Sequence, residues 1–175
     1  MQEPEVSLRI AMKYIQEGQA SGDVTVSIDG AHIKTKDTVH FDIAQFMYDN
    51  GYSKCEKDAT RWQGIYRNVK YSSRMIVVSK PGIGDVNVAL KDGRSLFVES
   101  KKIKKGNSGE YPAMREAIGQ LMTGCPDQEN VVPVVAVPYT AKSEKCAKEW
   151  SANTRICAAG IRFMLVHENG NVQLI

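Results

Sequence analysis

An aspartate, Asp85, stands at the head of one alternating run of residues, and a glutamate and a lysine, Glu99 and Lys101, close the next, within the stretch GIGDVNVALKDGRSLFVESKK from Gly82 to Lys102. Two carboxylates brought together can hold a hard divalent cation through oxygen, with the carbonyl of Ser100 as a third ligand. A cation held there acts as a Lewis acid and generates a nucleophile from water. Lys101 beside it can orient or deprotonate that water and neutralise charge developing on a phosphate. By the charges alone, a surface ion pair of Asp85 with Lys101, worth little to stability, is an equally good reading.

The register of the two strands decides whether these groups meet. Side chains alternate faces with period two, so the parity of the connecting loop fixes which residues share a face. A two-residue loop at Asp92-Gly93 would put Val86 opposite Glu99 and mix charge with apolar side chains on both faces. An odd loop, such as Asp92-Gly93-Arg94, pairs Val86 with Ser100, Val88 with Val98 and Leu90 with Leu96. One face is then continuously apolar. The other carries Asp85 opposite Lys101 and Asn87 opposite Glu99, so apolar patterning by itself gathers the three charged residues at one end of a hairpin.

The rest of the chain supplies elements to position that hairpin. Residues 4 to 17 read as a helix with Val6, Ile10 and Tyr14 on one stripe. The run DVTVSIDGAHIKTK reads as a hairpin turning at Asp29-Gly30. A second helix is expected from Thr38 to Asn50, with Val39, Ile43, Phe46 and Met47 inward. Residues 52 to 70 show the least periodicity. Strands follow at 73 to 79, 85 to 91 and 95 to 101. A helix at 112 to 123 comes next, with Met114, Ala117, Ile118, Leu121 and Met122 inward. VVPVVAVPY at 131 to 139 has the character of a strand covered on both faces, AKSEKCAKEWSA reads as a surface helix, and the chain closes in a hairpin turning near Asn169-Gly170. The expected class is α/β in the mixed α+β sense, a central mixed β-sheet flanked by helices.

At 175 residues the chain fits one domain. No apolar run approaches the about 20 residues that span a bilayer, and Glu3 and Glu5 follow Met1 too closely for a signal peptide. A cytoplasmic location without a membrane partner is the expectation. Cys55, Cys125, Cys146 and Cys157 form no C-x-x-C pair, so reduced, buried thiols are expected rather than a zinc site. His32, His40 and His167 show no metal spacing. The net charge of +3 is small, but it is unevenly spread. RWQGIYRNVKYSSR at 61 to 74 carries Arg61, Arg67, Lys70 and Arg74 with no acid, interleaved with Trp62, Tyr66 and Tyr71. Lys101, Lys102, Lys104 and Lys105 form a second basic cluster. Phosphate backbones attract such clusters and aromatic faces stack on bases, so Arg61, Trp62, Tyr66, Arg67, Lys70, Arg74, Lys102, Lys104 and Lys105 are the candidate nucleic-acid contacts.

Asp85, the E-x-K of Glu99-Ser100-Lys101 fourteen residues on, and the polar pair Glu116 and Gln120 in the following helix resemble the motif of the PD-(D/E)xK, or restriction-endonuclease-like, nucleases. GDVNVAL followed by LFVESKK is particularly similar to the branch containing small Holliday-junction-resolvase-like nucleases, and FMYDNGY at 46 to 52 is similar to the end of that branch's first helix. The resemblance implies a core of helix, three strands, helix and strand, mapped onto about 38 to 138, with 1 to 37 as an N-terminal helix and hairpin extension and 139 to 175 completing the sheet. It implies Mg²⁺-dependent hydrolysis of DNA phosphodiesters, Mn²⁺ substituting, with Asp85 and Glu99 as ligands and Lys101 and Gln120 as catalytic residues. A fold that kept nucleic-acid binding without hydrolysis is the alternative. The proline usual before the aspartate is replaced by Gly84. The acid usual on the first helix has Asp42 as its nearest candidate, with Glu116 as a second accessory acid. Gly119 is expected to let the helix approach the sheet closely. Many relatives cut both strands as homodimers, and the hairpin at 24 to 36 is the expected dimer or substrate-selecting element.

Overall fold

A computed structural model describes residues 1–55, 61–104 and 109–175. Helix α1 (Glu3–Gln16) leads into β1 (Val24–Ser27). A 3-10 turn (Gly30–His32), β2 (Lys34–Thr35), β3 (Thr38–Val39), α2 (Ile43–Asp49), β4 (Ser53–Lys54) and β5 (Gly64–Arg67) follow, then β6 (Met75–Val78). The chain continues through β7 (Val86–Ala89), β8 (Ser95–Ser100), α3 (Glu110–Gly124), β9 (Val131–Pro138), α4 (Ala141–Ser151), α5 (Thr154–Ala158), β10 (Arg162–Val166) and β11 (Val172–Leu174). Nine strands form one mixed sheet in the order β11-β10-β9-β8-β7-β1-β6-β5-β4, with α1 packed on one face and α3 on the other.

The N-terminal segment is the centre of this sheet, where an extension was expected. Strand β1 pairs antiparallel with β7 and parallel with β6, so β6 stands one place further out and does not neighbour β7. Val24, Val26 and Ile28 are buried, as an interior strand requires. The Asp29-Gly30 turn does not form. Gly30 lacks the positive φ that a two-residue hairpin turn needs, and Asp29 instead caps the 3-10 turn, accepting the Ala31 N–H at 2.9 Å. The helix expected from Thr38 starts at Ile43, with Asp42 as its cap. Thr38 and Val39 pair with Thr35 and Lys34, and Val39 is exposed.

Helix α1 buries Val6, Leu8, Ile10, Ala11, Met12 and Ile15. That distribution belongs to a helix enclosed on most sides rather than one with a single apolar stripe. Phe41, Ile43, Phe46, Met47 and Tyr52 join the same core. The other face of the sheet forms a second core with Phe97, Met114, Ala117, Leu121, Val135, Val137 and Phe163. Strand β9 feeds both: Val134 and Ala136 face one core, Val135 and Val137 the other, as its continuous apolar run requires. On α3, Met122 falls outside the inward stripe and is exposed.

Among the described residues no helix is long and apolar enough to cross a membrane. All four cysteines are free, but only Cys146 is buried; Cys55 and Cys157 are exposed, against the expectation of buried thiols.

Candidate active site

The hairpin of β7 and β8 has the expected parity and a register two residues away from the expected one. Val86 pairs with Val98, Asn87 with Phe97, Val88 with Leu96 and Ala89 with Ser95. The loop is Lys91-Asp92-Gly93, closed by Leu90 donating to the Arg94 carbonyl at 2.7 Å. Asp92 accepts the Arg94 N–H at 3.0 Å, and Gly93 takes φ +88°, which suits a three-residue loop ending in a left-handed glycine. A slip of two preserves the faces. Val86, Val88, Leu96 and Val98 are buried on the α1 side; the ladder ends at the pair of Val86 and Val98, the Asp85 N–H donates to the Val98 carbonyl at 2.8 Å, and Asp85 lines one cleft with Glu99 rather than pairing with Lys101.

These two carboxylates line a cleft of about 550 Å³ between the loop from Ser79 to Gly84 and the C-terminal half of α3, whose Gln120 and Thr123 form the far wall. Asp85 accepts the backbone N–H of Ser100 at 2.7 Å. In an extended strand the N–H and C=O of one residue project to the same side, so the Ser100 carbonyl is directed toward Asp85 as well. The Ser100 side chain is buried, and its Oγ has no hydrogen-bond partner. Burial and the neighbouring Glu99 push the Asp85 carboxyl up to about 7, partly offset by the Ser100 N–H. Burial also raises Glu99, against the pull of Lys101.

Lys101, one residue beyond β8, reaches both layers. Its Nζ lies 3.3 Å from Glu116 of α3 and 3.6 Å from Glu3 of α1. Burial works against its charge, but Glu3, Asp85 and Glu116 outweigh it and raise its pKa above the ordinary lysine value. It is therefore an ammonium at neutral pH, suited to orienting water and neutralising phosphate rather than to taking a proton.

Glu3 is the acid that sequence reasoning missed. It was hidden because the first core helix was sought at 38 to 50, whereas α1, apolar around most of its circumference and followed by a strand of buried valines, was the better signal. Asp42, the residue expected in this role, caps α2 by accepting the Gln45 N–H at 3.0 Å. Gly119 does not serve the close approach of helix and sheet expected of it, since a Cβ there would meet nothing within 4 Å. Close approach is instead required at Gly84: its φ is +70°, and a Cβ would come within 2.9 Å of the Phe97 ring. Proline, with φ near −65°, cannot occupy that position.

The candidate nucleic-acid contacts do not share one surface. Strand β5 runs antiparallel to β6, so Arg61 and Trp62 lie toward the cleft end of the sheet while Arg67, Lys70 and Arg74 lie at the other, about 16 Å away along β6. Tyr66 is a core residue, 3% exposed, with its hydroxyl donating to the Trp62 carbonyl at 2.6 Å; it offers no face for stacking. Trp62 and Tyr71 are partly buried against the same core. Arg74 is engaged by Asp23 at 2.6 Å. Lys102 donates its backbone N–H to Glu3 at 3.3 Å, Lys104 is exposed, and Lys105 lies outside the described residues. Lys80, not expected, lines the cleft.

The donor set suits a hard cation, being all oxygen. Among the described residues no three His, Cys, Asp or Glu side chains converge on one metal position. Mg²⁺ commonly uses one or two carboxylates, completing its shell with water and substrate phosphate, so Asp85 and Glu99 are the residues that could hold one. No protein-family model, curated protein or solved structure matches this chain.

Proposed function

We propose that this chain is a metal-dependent endonuclease hydrolysing DNA phosphodiester bonds, a reading carried by Asp85 and Glu99 lining one open cleft with the Lys101 ammonium two residues from Glu99. The reading is supported by α1, β1, β7, β8, α3 and β9, which follow one another as helix, three strands, helix and strand, the order that the resemblance to the PD-(D/E)xK nucleases implies, if residues 28–84 are taken as an insertion after β1. Asp85 and Glu99, with the Ser100 carbonyl, would hold Mg²⁺ or Mn²⁺. When bound, such an ion supplies Lewis acidity and lowers the pKa of water at neutral pH.

The chain's own groups account for the remaining needs of the reaction. The Asp85 carboxyl, pushed up to about 7 by burial and Glu99, would have to be deprotonated to hold a cation. Lys101 offsets negative charge gathering on the scissile phosphate, and Gln120 on the cleft wall is placed to donate to a phosphate or sugar oxygen. Lys80, Lys102, Lys104 and Arg61 supply positive charge at the same end of the sheet. One cleft cuts one strand, so cutting both requires a second copy or rebinding. Four free cysteines suit the reducing cytoplasm.

The test is a cleavage panel of supercoiled plasmid, four-way junction, flap and single-stranded DNA with Mg²⁺, Mn²⁺ or EDTA. Cleavage that needs the metal and disappears in Asp85→Asn supports the proposal. Metal-independent DNA binding without cleavage of any of the four replaces it with a binding module of the same architecture.

A further inference from the structure

Three nitrogen atoms, from His32 and from the adjacent Lys101 and Lys102, lie against the Glu3 carboxylate. Its Oε2 accepts the Lys102 N–H at 3.3 Å. Its Oε1 lies 3.6 Å from the Lys101 Nζ and 3.4 Å from the Nδ1 of His32. An acid in the first turn of a helix ordinarily serves that helix's own free N–H groups; Glu3 is turned toward the end of the sheet instead.

The turn that delivers His32 is rigidly built. Ile28 and Ile33 on either side of it are 3% and 6% exposed. Asp29 caps it, and the N–H groups of His32 and Ile33 close onto the carbonyls of Asp29 and Gly30 at 2.9 and 3.0 Å. Asp29 itself lines the cleft. The inserted segment therefore begins by placing an imidazole against the Glu3 oxygen that also faces Lys101.

We propose that His32 is a positioning residue for the cleavage reaction, occupying one side of Glu3 Oε1 so that the carboxylate does not clamp the Lys101 ammonium. The proposal rests on the nuclease reading. Lys101 stands between opposing carboxylates, Glu3 on the α1 side and Glu116 on the α3 side, so a change in what either carboxylate already holds moves it. Without His32, Oε1 is left to Lys101 alone. The ammonium is drawn toward α1 and away from Asp85 and Glu99.

The experiment compares His32→Ala, His32→Gln and His32→Asn, each checked for folding by circular dichroism. The amide nitrogen of asparagine can stand where Nδ1 stands; that of glutamine cannot. Single-turnover cleavage with Mg²⁺, on a DNA of the panel that the wild type cuts, is expected to slow on the order of 10-fold in the Ala and Gln variants at unchanged DNA affinity, and to return in Asn. A wild-type rate in folded His32→Ala overturns the proposal. A second readout needs no cleavage: acetylation of Lys101 by acetic anhydride, followed by mass spectrometry, is expected to be slower in His32→Ala, restored in His32→Asn and faster in Glu3→Gln. Equal acetylation across the series also overturns the proposal. A wild type that cuts nothing yet shows this acetylation pattern sinks the nuclease reading and leaves the positioning of Lys101 by His32 standing.

Discussion

The carboxylate of Asp85 accepts the backbone N–H of Ser100 at 2.7 Å, so the acid at the head of β7 is tied to the strand that carries Glu99. Burial first, and then the neighbouring Glu99, push the Asp85 carboxyl up to about 7, although the tie to the Ser100 N–H itself works the other way.

That upward shift fixes a pH dependence. The folded-state pKa of Asp85 lies above its unfolded value near 4, so its contribution to stability is fully present below pH 4 and is lost as pH rises through about 7. The metal-free protein is expected to lose up to about 4 kcal/mol across that window relative to Asp85→Asn, in which the part of the slope due to Asp85 disappears. If Asp85 and Glu99 hold Mg²⁺ as proposed, the ion is expected to restore stability most at pH 7 and above, where it no longer competes with a proton. Urea denaturation of both proteins at pH 5, 6, 7 and 8, with and without Mg²⁺, checks this; a pH-independent difference between them would show that Asp85 ionises normally.

The sequence made the parity of this hairpin legible and left its register open. Alternation separates Val86, Val88, Leu96 and Val98 from Asp85 and Glu99 under any odd loop, and a loop of three residues at 91–93 or at 92–94 satisfies it equally. What chose between them was local, the left-handed Gly93 and the Asp92 bond to the Arg94 N–H. The place of β1 was not legible, because a strand's neighbours in a sheet are settled by packing far along the chain. The Asp29-Gly30 signal, strong for an isolated hairpin, lost to the burial of Val24 and Val26 between β6 and β7. Glu3 went with it, since its role exists only once α1 lies against the sheet.

Gly84 is the backbone condition for the site. With φ +70° and a Cβ path blocked at 2.9 Å by the Phe97 ring, Gly84→Ala is expected to cost about 1–3 kcal/mol and Gly84→Pro more, because proline fixes φ at a negative value. Phe97→Leu removes the ring and should recover part of the Ala penalty in a double-mutant cycle. Thermal or urea denaturation of the four proteins provides the measurement; additive losses would mean that the ring and the glycine are not in contact.

The split of the basic residues predicts a split in salt dependence. Lys80→Ala, Lys102→Ala and Lys104→Ala, at the cleft end, are each expected to lower the slope of log affinity against log salt by about one for duplex DNA. Lys70→Ala and Arg67→Ala, at the far end, should leave it nearly unchanged. Fluorescence anisotropy over a salt series decides the matter, and equal effects from both groups would mean that DNA wraps the length of the sheet.

Lys101 carries the last prediction, because its environment assigns it one role in preference to another. Its charge is opposed by burial and secured by Glu3, Asp85 and Glu116, so it enters the reaction as an ammonium. Folded Lys101→Ala should retain metal binding, since Asp85 and Glu99 are intact, and should lose about 10² to 10⁴-fold in single-turnover cleavage. Lys101→Arg keeps the charge but not the shape, and a planar guanidinium held between Glu3 and Glu116 would bind one of them bidentately; it should not rescue. If Lys101 acted as the base, activity would rise with pH through its titration. Because Lys101 stays an ammonium throughout, the expected profile from pH 5.5 to 9 has the same shape in Lys101→Ala as in the wild type, at a lower rate. Calorimetric Mg²⁺ titration beside rate measurements from pH 5.5 to 9 separates the cases, and a folded Lys101→Ala that cuts at the wild-type rate would remove this residue from the site.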